Sequence, residues 1–168
     1  IIAYIGNENS YEKCLCGLKQ LQNRGYDSAG ICSLMNHNFV MNKYASSDKE
    51  SALEKLDNCY NNHNNSLSIG HTRWATHGAK TDINSHPHIS SDGLFSLIHN
   101  GIIENYAELK DMLINEGYTF LSQTDTEVIV NLLSFMYNKH KNVELSIEKT
   151  IERLEGTWGL AILCKDES

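Results

Sequence analysis

The chain has 168 residues and a net charge of −7, with 14 Lys and Arg against 21 Asp and Glu. Its 40% hydrophobic and 21% charged residues are typical of one globular domain, and they exclude a disordered or collagen-like chain. No apolar run reaches the roughly 18 residues of a membrane span, and the negative charge disfavours nucleic acid or an anionic membrane as a partner. The N-terminal sequence lacks a secretion signal and the five cysteines form no paired framework, so we expect reduced thiols and a cytoplasmic protein.

Hydrophobic periodicity and turn residues predict a mixture of strands and helices. We predict strands over residues 1–5, 31–34, 39–44, 67–69, 94–98 and 158–164, and helices over 11–21, 49–59, 105–116, from about 124, and over 147–154. Asn100 and Gly101 are predicted to end a strand in a turn, and Asn105 with Glu108 to form a capping box. Strands and helices are grouped rather than alternating, which favours an α+β layered fold over a doubly wound parallel sheet.

Four polar segments are rich in side chains that can bind a ligand or take part in catalysis. They cover residues 24–30, 71–78, 99–101 and 122–127. Arg73 can hold a carboxylate in two parallel hydrogen bonds and Asp125 can hold an ammonium group, a combination that indicates an amino-acid ligand. The alternative is that Arg73 is a surface charge and Asp125 a helix cap. Asn100 and Gly101 either form a simple turn or supply two donors for an oxyanion in acyl transfer.

Histidines are concentrated between residues 71 and 99. They are His71, His77, His86, His88 and His99. His86 and His88 can place two imidazoles on one side of an extended segment, so metal-dependent hydrolysis is one possible interpretation. Because no HExxH motif or cysteine pair accompanies them, and histidines in polar loops more often form hydrogen bonds, we expect no metal site. Trp74 is either a core residue or the wall of a pocket.

The polar segments, in their order along the chain, resemble the N-terminal glutaminase domains of the glucosamine-6-phosphate synthases, which are class II glutamine amidotransferases. The matching motifs are RGYDSAG at 24–30, HTRWATHG at 71–78, HNGIIENY at 99–106 and TDTE at 124–127. The resemblance spans nearly the whole chain. It implies an N-terminal-nucleophile hydrolase fold, an α+β sandwich of four layers (αββα), and hydrolysis of glutamine to glutamate and ammonia without a cofactor. In the family the ammonia passes to fructose 6-phosphate, giving glucosamine 6-phosphate.

The same resemblance implies which residues bind the substrate. Arg73 and Thr76 would bind the carboxylate of glutamine, Asp125 would bind its ammonium group, and His77 would line the same pocket.

The resemblance also implies catalytic and supporting roles. Asn100 and Gly101 would form the oxyanion hole. Trp74 would gate the passage of ammonia, while Arg24 and His86 would support or gate the site.

The family's nucleophile is an N-terminal cysteine whose own α-amine acts as the base. Residues 1–6 align with the sequence that follows a Cys-Gly pair in the family, so we expect that pair just before Ile1. Residues 1–168 are interpreted as a glutaminase domain truncated at its C-terminal end, with isomerase domains of the same protein and homo-oligomerisation through them expected beyond residue 168. The alternative function is a catalytically inactive module that binds glutamine or glutamate and acts on a partner.

Overall fold

The computed structural model describes residues 1–60, 66–74 and 79–165, with only the backbone of Arg24 included. Within these residues the strands form two antiparallel sheets. The first contains β1 (Ile2–Ile5), β2 (Ser28–Met35), β3 (Asn38–Ala45) and β4 (Leu67–Arg73) in the order β1-β4-β2-β3. The second contains β5 (His88–Ile89), β6 (Phe95–Ile103) and β7 (Gly156–Cys164) in the order β5-β6-β7.

Helices cover the outer face of each sheet. They are α1 (Ser10–Gln20), α2 (Ala52–Asn58), α3 (Tyr106–Asn115), α4 (Asp125–His140) and α5 (Val143–Ile151), and a 3-10 turn (Gln22–Arg24) follows α1. On the first sheet, Leu18 and Leu56 belong to the same buried cluster as Ile31 of β2. On the second sheet, Ile129 of α4 packs in a buried cluster with Leu97 of β6.

The inner faces of the two sheets pack against each other. Cys32 and Ile69 from the first sheet form a buried cluster with Ile98 and Leu163 from the second. Neighbouring residues of a strand point to opposite faces, so Ile31 meets the helices while Cys32 meets the other sheet. This arrangement confirms the predicted α+β fold with four αββα layers.

The predicted turn at Asn100 and Gly101 is wrong, because β6 continues through both residues to Ile103. The strand pairs with β7 over its whole length, from Phe95 opposite Cys164 to Ile103 opposite Gly156. Gly101 has a φ of +137°, and a Cβ at this position would lie 2.0 Å from the carbonyl oxygen of Thr157. A glycine therefore allows the strand to pass this point where any other residue would clash or be strained.

The predicted capping box at the start of α3 is also absent. The Asn105 amide instead donates to the Arg153 carbonyl at 2.8 Å and accepts from the Glu155 N–H at 3.1 Å. The last helix begins and ends earlier than predicted, because α5 covers Val143–Ile151, and Gly156 opens β7. Asn105 therefore connects the start of α3 to the loop that leads into β7. Among the described residues, no helix is both long and apolar enough to cross a membrane.

Candidate active site

A cavity of about 420 Å³ lies where β4 of the first sheet, β6 of the second and the start of α4 come together. Six of the nine residues to which the resemblance gave a role in the site line it, namely Arg73, Trp74, His86, Asn100, Gly101 and Asp125. These residues come from polar segments that are far apart in the sequence. The packing of the two sheets brings them together on a rigid scaffold, the usual location of a functional site.

Two opposite charges form one wall of the cavity. Arg73 ends β4 and is only 5% exposed, so it is not a surface charge. Burial lowers the pKa of Arg73, while the carboxylates of Asp125 and Asp27 raise it. Asp125 is the first residue of α4, whose cap is Thr124, and its Oδ2 accepts the N–H of Ile103 at 3.0 Å. The wall thus presents a guanidinium and a carboxylate, groups that suit the two charged ends of an amino acid.

Local packing fixes the end of β4 that carries Arg73. The N–H of Asp27 donates to the Arg73 carbonyl at 3.1 Å, and Lys80 forms an ion pair with Asp27 at 2.5 Å. Gly25 lies so close that a Cβ there would be 2.9 Å from the Arg73 carbonyl carbon and 3.0 Å from the Thr72 carbonyl oxygen. The segment 24–28 therefore supports the backbone of Arg73 from one side.

The opposite side of the cavity carries two hydrogen-bond donors at consecutive positions of β6. Asn100 and Gly101 are both exposed at this point of the strand. The Asn100 Oδ1 lies 2.7 Å from Nε2 of His71 on β4, so the amide oxygen already has a partner. The arrangement can present an amide N–H and a backbone N–H to one oxygen atom, as an oxyanion hole does.

His86 and His99 line the cavity beside these residues, and a third buried histidine, His88, lies next to His86 outside the lining. His86 and His99 both hydrogen-bond to the hydroxyl of Thr126, at 3.1 Å and 3.2 Å, and His88 hydrogen-bonds to the hydroxyl of Thr124 at 3.0 Å. Burial lowers the pKa of each of the three imidazoles. Within the described ranges, no group of three or more His, Cys, Asp or Glu side chains is placed to hold a metal ion. The imidazoles are instead engaged by hydroxyls at the start of α4.

A half-buried lysine holds the segment that carries His86. The Lys43 ammonium donates to the carbonyls of Ile83, Ser85 and Pro87 at 3.2, 2.8 and 3.1 Å. Burial lowers the pKa of Lys43 to about 8, although the Glu127 carboxylate opposes this effect. Lys43 fixes three backbone carbonyls of this segment, and so it fixes the position of the imidazole.

The loop before α4 is held in a similar way by an acid. The buried Glu127 accepts the backbone N–H of Leu121 at 2.8 Å and that of Ser122 at 2.6 Å. Because Glu127 lies in the first turn of α4, it fixes the loop to the helix that begins with Asp125.

Comparison with known proteins identifies the family. Residues 71–168 match the family described as Glutamine amidotransferase domain. The chain belongs to this family. The family membership indicated by the sequence motifs is therefore confirmed.

Two similar relatives of this amidotransferase domain are larger proteins. The glutamine--fructose-6-phosphate aminotransferase [isomerizing] of Caldanaerobacter subterraneus is 47% identical over 99% of this chain and 26% of its own length. The probable glutamine--fructose-6-phosphate aminotransferase [isomerizing] of Acanthamoeba polyphaga mimivirus is 46% identical over 95% of this chain and 26% of its own. The chain thus spans about a quarter of the length of these relatives.

A solved structure shows the same fold. The glutamine phosphoribosylpyrophosphate amidotransferase from B. subtilis, in complex with ADP and GMP, superposes with a TM-score of 0.79 at 25% identity. The match covers 97% of this chain and 34% of that chain. The N-terminal-nucleophile fold expected from the resemblance is therefore confirmed for this amidotransferase domain.

Three of the predicted site residues are not placed by the structure. Thr76 and His77 lie outside the described residues, and so does the side chain of Arg24, whose backbone ends the 3-10 turn. Their predicted roles remain predictions.

Trp74 lies at the mouth of the cavity and is not a core residue. Its side chain is 58% exposed, and its ring meets that of Tyr26 edge-on, with 5.4 Å between the ring centroids. An exposed aromatic pair at the rim of the site favours the hypothesis that Trp74 forms a wall of the pocket over the hypothesis that it is a core residue.

None of the chain's cysteines, all of which lie within the described residues, lines the cavity. They are present as thiols. Burial raises the pKa of both Cys14 and Cys32 to about 12, so neither is a reactive thiolate at neutral pH. Ile1, in contrast, does line the cavity, beside His71 and Arg73.

Sequence reasoning missed several residues that organise the site. It assigned no role to Lys43, Thr126 or Glu127, and it counted His71 only as one of a group of histidines. A lysine within a strand and a glutamate in the first turn of a helix are common in surface positions, so nothing local distinguishes Lys43 or Glu127. The TDTE motif of the family did contain Thr126 and Glu127, and it was the one signal for them.

Proposed function

We propose that this chain hydrolyses the side-chain amide of glutamine to glutamate and ammonia, within a protein that transfers the ammonia to fructose 6-phosphate and forms glucosamine 6-phosphate. One observation carries the first part of the proposal: a single cavity holds Arg73, Asp125 and the pair Asn100 and Gly101. The names of the two relatives described above support the acceptor.

The charged wall would bind the amino-acid part of glutamine. Arg73 would hold the α-carboxylate and Asp125 the α-ammonium group, and both interactions are strengthened by burial because little water competes for them. We assign Thr76 to the same carboxylate and His77 to the lining of the pocket. The side-chain amide of glutamine would then extend toward Asn100 and Gly101.

The reaction needs a nucleophile, and we assign it to a cysteine two residues before Ile1. The position of Ile1 supports this assignment, because Ile1 lines the cavity and a residue two positions before it would lie in or next to the site. The α-amine of that cysteine would accept the thiol proton while the sulfur attacks the amide carbon. The resulting oxyanion would receive hydrogen bonds from Asn100 Nδ2 and the Gly101 N–H.

The products then follow from proton and bond balance. The C–N bond breaks as the amine returns its proton to the leaving nitrogen, which departs as ammonia. Water attacks the remaining thioester, the sulfur leaves as the thiol, and glutamate is released. We propose that Trp74 gates the path of the ammonia, and that Arg24 and His86 support the site.

The remaining proposals concern the whole protein. We propose that residues 1–168 belong to a glutaminase domain joined to isomerase domains, that the protein associates with itself through those domains, and that it acts in the cytoplasm. The greater length of the relatives supports the presence of further domains.

The test uses the natural protein, its glutamate release and its intact mass before and after exposure to a diazo ketone analogue of glutamine. We expect glutamate release from glutamine and uptake of one equivalent of the analogue at an N-terminal cysteine. Saturable binding of glutamine without turnover and without labelling would contradict the proposal. That result would establish the inactive binding module instead.

A further inference from the structure

We propose that His71 is a positioning residue that orients the carboxamide of Asn100, so that its NH₂ end, and not its oxygen, faces the substrate. The inference rests on the proposed function and adds to it the residue that sets the direction of the oxyanion hole. It starts from one contact between the two sheets, the 2.7 Å hydrogen bond between His71 Nε2 and Asn100 Oδ1.

The protonation state of His71 determines the direction of this hydrogen bond. The ring is 3% exposed, and burial lowers its pKa to about 3, so it is neutral at physiological pH. A neutral imidazole carries one N–H, at either Nε2 or Nδ1. Within the part of the chain that the structure describes, the buried Nδ1 of His71 has no hydrogen-bond partner.

Only one tautomer fits both nitrogens. With the proton on Nε2, the ring donates to Asn100 Oδ1 and leaves a lone pair on the unpartnered Nδ1. With the proton on Nδ1, a buried N–H would lack an acceptor among the described residues, and in the observed orientation of the amide two lone pairs would face each other across 2.7 Å. The first tautomer therefore holds the amide oxygen of Asn100 in place.

The fixed oxygen has a consequence for catalysis. The terminal torsion of an asparagine is broad and roughly two-fold, so an unrestrained carboxamide can turn either end toward the cavity. An oxygen in that position would repel the developing oxyanion, whereas the NH₂ group stabilises it. The loss of one oxyanion-hole donor in other enzymes reduces kcat by about 10²–10³-fold.

The ring of His71 is itself held in place. It stacks on the ring of His86, with 4.3 Å between the centroids, and His86 Nε2 contacts the hydroxyl of Thr126 at 3.1 Å. The same reasoning on tautomers applies to His86, because its buried Nδ1 also has no partner among the described residues. The start of α4 thus fixes His86, which packs against His71, which orients Asn100.

The test compares variants of His71 in the natural full-length protein, with glutamate release as the assay. His71→Asn is too short to reach Asn100, whereas the amide nitrogen of His71→Gln lies near the position of Nε2 and can donate to Oδ1. We expect His71→Asn to lower kcat by about 10- to 100-fold with the KM for glutamine changed less than about twofold. We expect His71→Gln to recover most of that loss, and His71→Leu provides a second loss variant if His71→Asn does not fold.

A double-mutant cycle separates orientation from general structural damage. In an Asn100→Ala background there is no carboxamide to orient, so His71→Asn should lower kcat by less than about twofold further. Tyr11→Phe is the matched control, because it removes another buried hydrogen bond, from the Tyr11 hydroxyl to the Leu56 carbonyl at 2.9 Å, and Tyr11 does not line the cavity. We expect it to lower the melting temperature with kcat changed less than about twofold.

Two results would overturn the inference while the proposed function stands. They are an active wild-type protein whose His71→Asn variant keeps its kcat, and a loss of kcat by the same factor with and without Asn100. A wild-type protein with its natural N-terminus that releases no glutamate would overturn the proposed function itself, and this inference with it.

Discussion

Two groups of residues that line the cavity are similarly buried but differ in their charge. Arg73 and Asp125 face the cavity as ions, and Asp125 raises the pKa of Arg73 against the effect of burial. His86 and His99 contact the hydroxyl of Thr126 and have lowered pKa values, so they remain neutral. The comparison shows that burial alone does not decide charge. The ordinary pKa of a guanidinium lies so far above neutral pH that Arg73 stays charged although burial lowers its pKa. The ordinary pKa of an imidazole lies near neutral pH, so burial is enough to keep the ring neutral, even in His99, whose Nδ1 lies 3.8 Å from the Asp125 carboxylate.

The charged and the neutral residues also have different proposed roles. The charged wall is suited to bind an amino acid, and the neutral histidines are suited to fix the side chains around it without adding a competing charge. Variants that change the charged residues and leave the histidines intact, or the reverse, therefore test whether the two groups have separate roles.

The largest effect is expected for Arg73→Met. The variant keeps a long apolar side chain but removes the group that binds the substrate carboxylate, and it leaves a substrate charge unpaired. We expect kcat/KM for glutamine to fall by about 10³-fold, mainly through KM. Steady-state kinetics of the natural protein checks this, with Arg153→Met, an exposed arginine outside the cavity, as the control. Equal kcat/KM values for the two variants would remove Arg73 from substrate binding.

Asp125→Asn tests the other charge with less disturbance of the fold. The asparagine oxygen can still accept the N–H of Ile103, so the melting temperature should change by only a few degrees. The loss of the negative charge should lower kcat/KM by about 10²-fold. The exposed Asp111→Asn serves as the matched control. A variant with normal kinetics would show that Asp125 acts only as a structural acceptor.

Gly101→Ala tests the strand that carries the oxyanion donors. The methyl group would clash with the Thr157 carbonyl and would strain a backbone with a φ of +137°. We expect the free energy of unfolding to fall by about 2–4 kcal/mol. Gly117→Ala is the control, because Gly117 also has a positive φ, +90°, but has nothing within 4 Å of the added carbon. Urea unfolding should show a loss of only about 1 kcal/mol for the control, and equal losses would contradict the role of the close contact.

The smallest effect is expected for the neutral histidines. Each should make the free energy of unfolding depend on pH. In the unfolded chain a histidine has a pKa of 6.5, whereas the pKa of folded His71 is about 3. Below pH 6.5 the unfolded state therefore binds more protons, so the stability present above pH 6.5 is lost as the pH falls toward the folded pKa. Each fully neutral buried histidine should cost about 1.4 kcal/mol between pH 7.5 and pH 5.5.

Unfolding measurements at these two pH values check the prediction. Replacement of His88 by Gln removes one of the buried imidazoles and should make the dependence on pH shallower, whereas replacement of the exposed His37 by Gln should not. A stability that does not change between the two pH values would show that the histidines are not held neutral.

The sequence predicted the order of most elements and the residues of the charged wall. Arg73 follows a run of strand residues and Asp125 follows a capping threonine, so local patterns were sufficient to place both at the ends of elements. The layered α+β class followed from the grouping of strands and helices. These features depend on short-range periodicity, which the sequence displays directly, whereas the four αββα layers were implied by the resemblance to the family.

The features that the sequence did not predict depend on contacts between distant segments. β6 passes through Asn100 and Gly101 because β7, more than fifty residues later, pairs along its whole length. The hydrogen bond between His71 and Asn100 joins the two sheets, and Lys43 reaches carbonyls forty or more residues away in sequence. No local sequence pattern indicates these contacts, because each forms only when the two sheets pack together.

The most direct test of the proposed substrate site is the crystal structure of the natural protein with L-glutamate bound. We expect the α-carboxylate on Arg73, the α-ammonium group on Asp125, and the side-chain carboxylate within hydrogen-bond distance of Asn100 Nδ2 and the Gly101 N–H. Glutamate bound in the reverse orientation, or outside this cavity, would contradict the assignment of the charged wall to the amino acid and of Asn100 and Gly101 to the oxyanion.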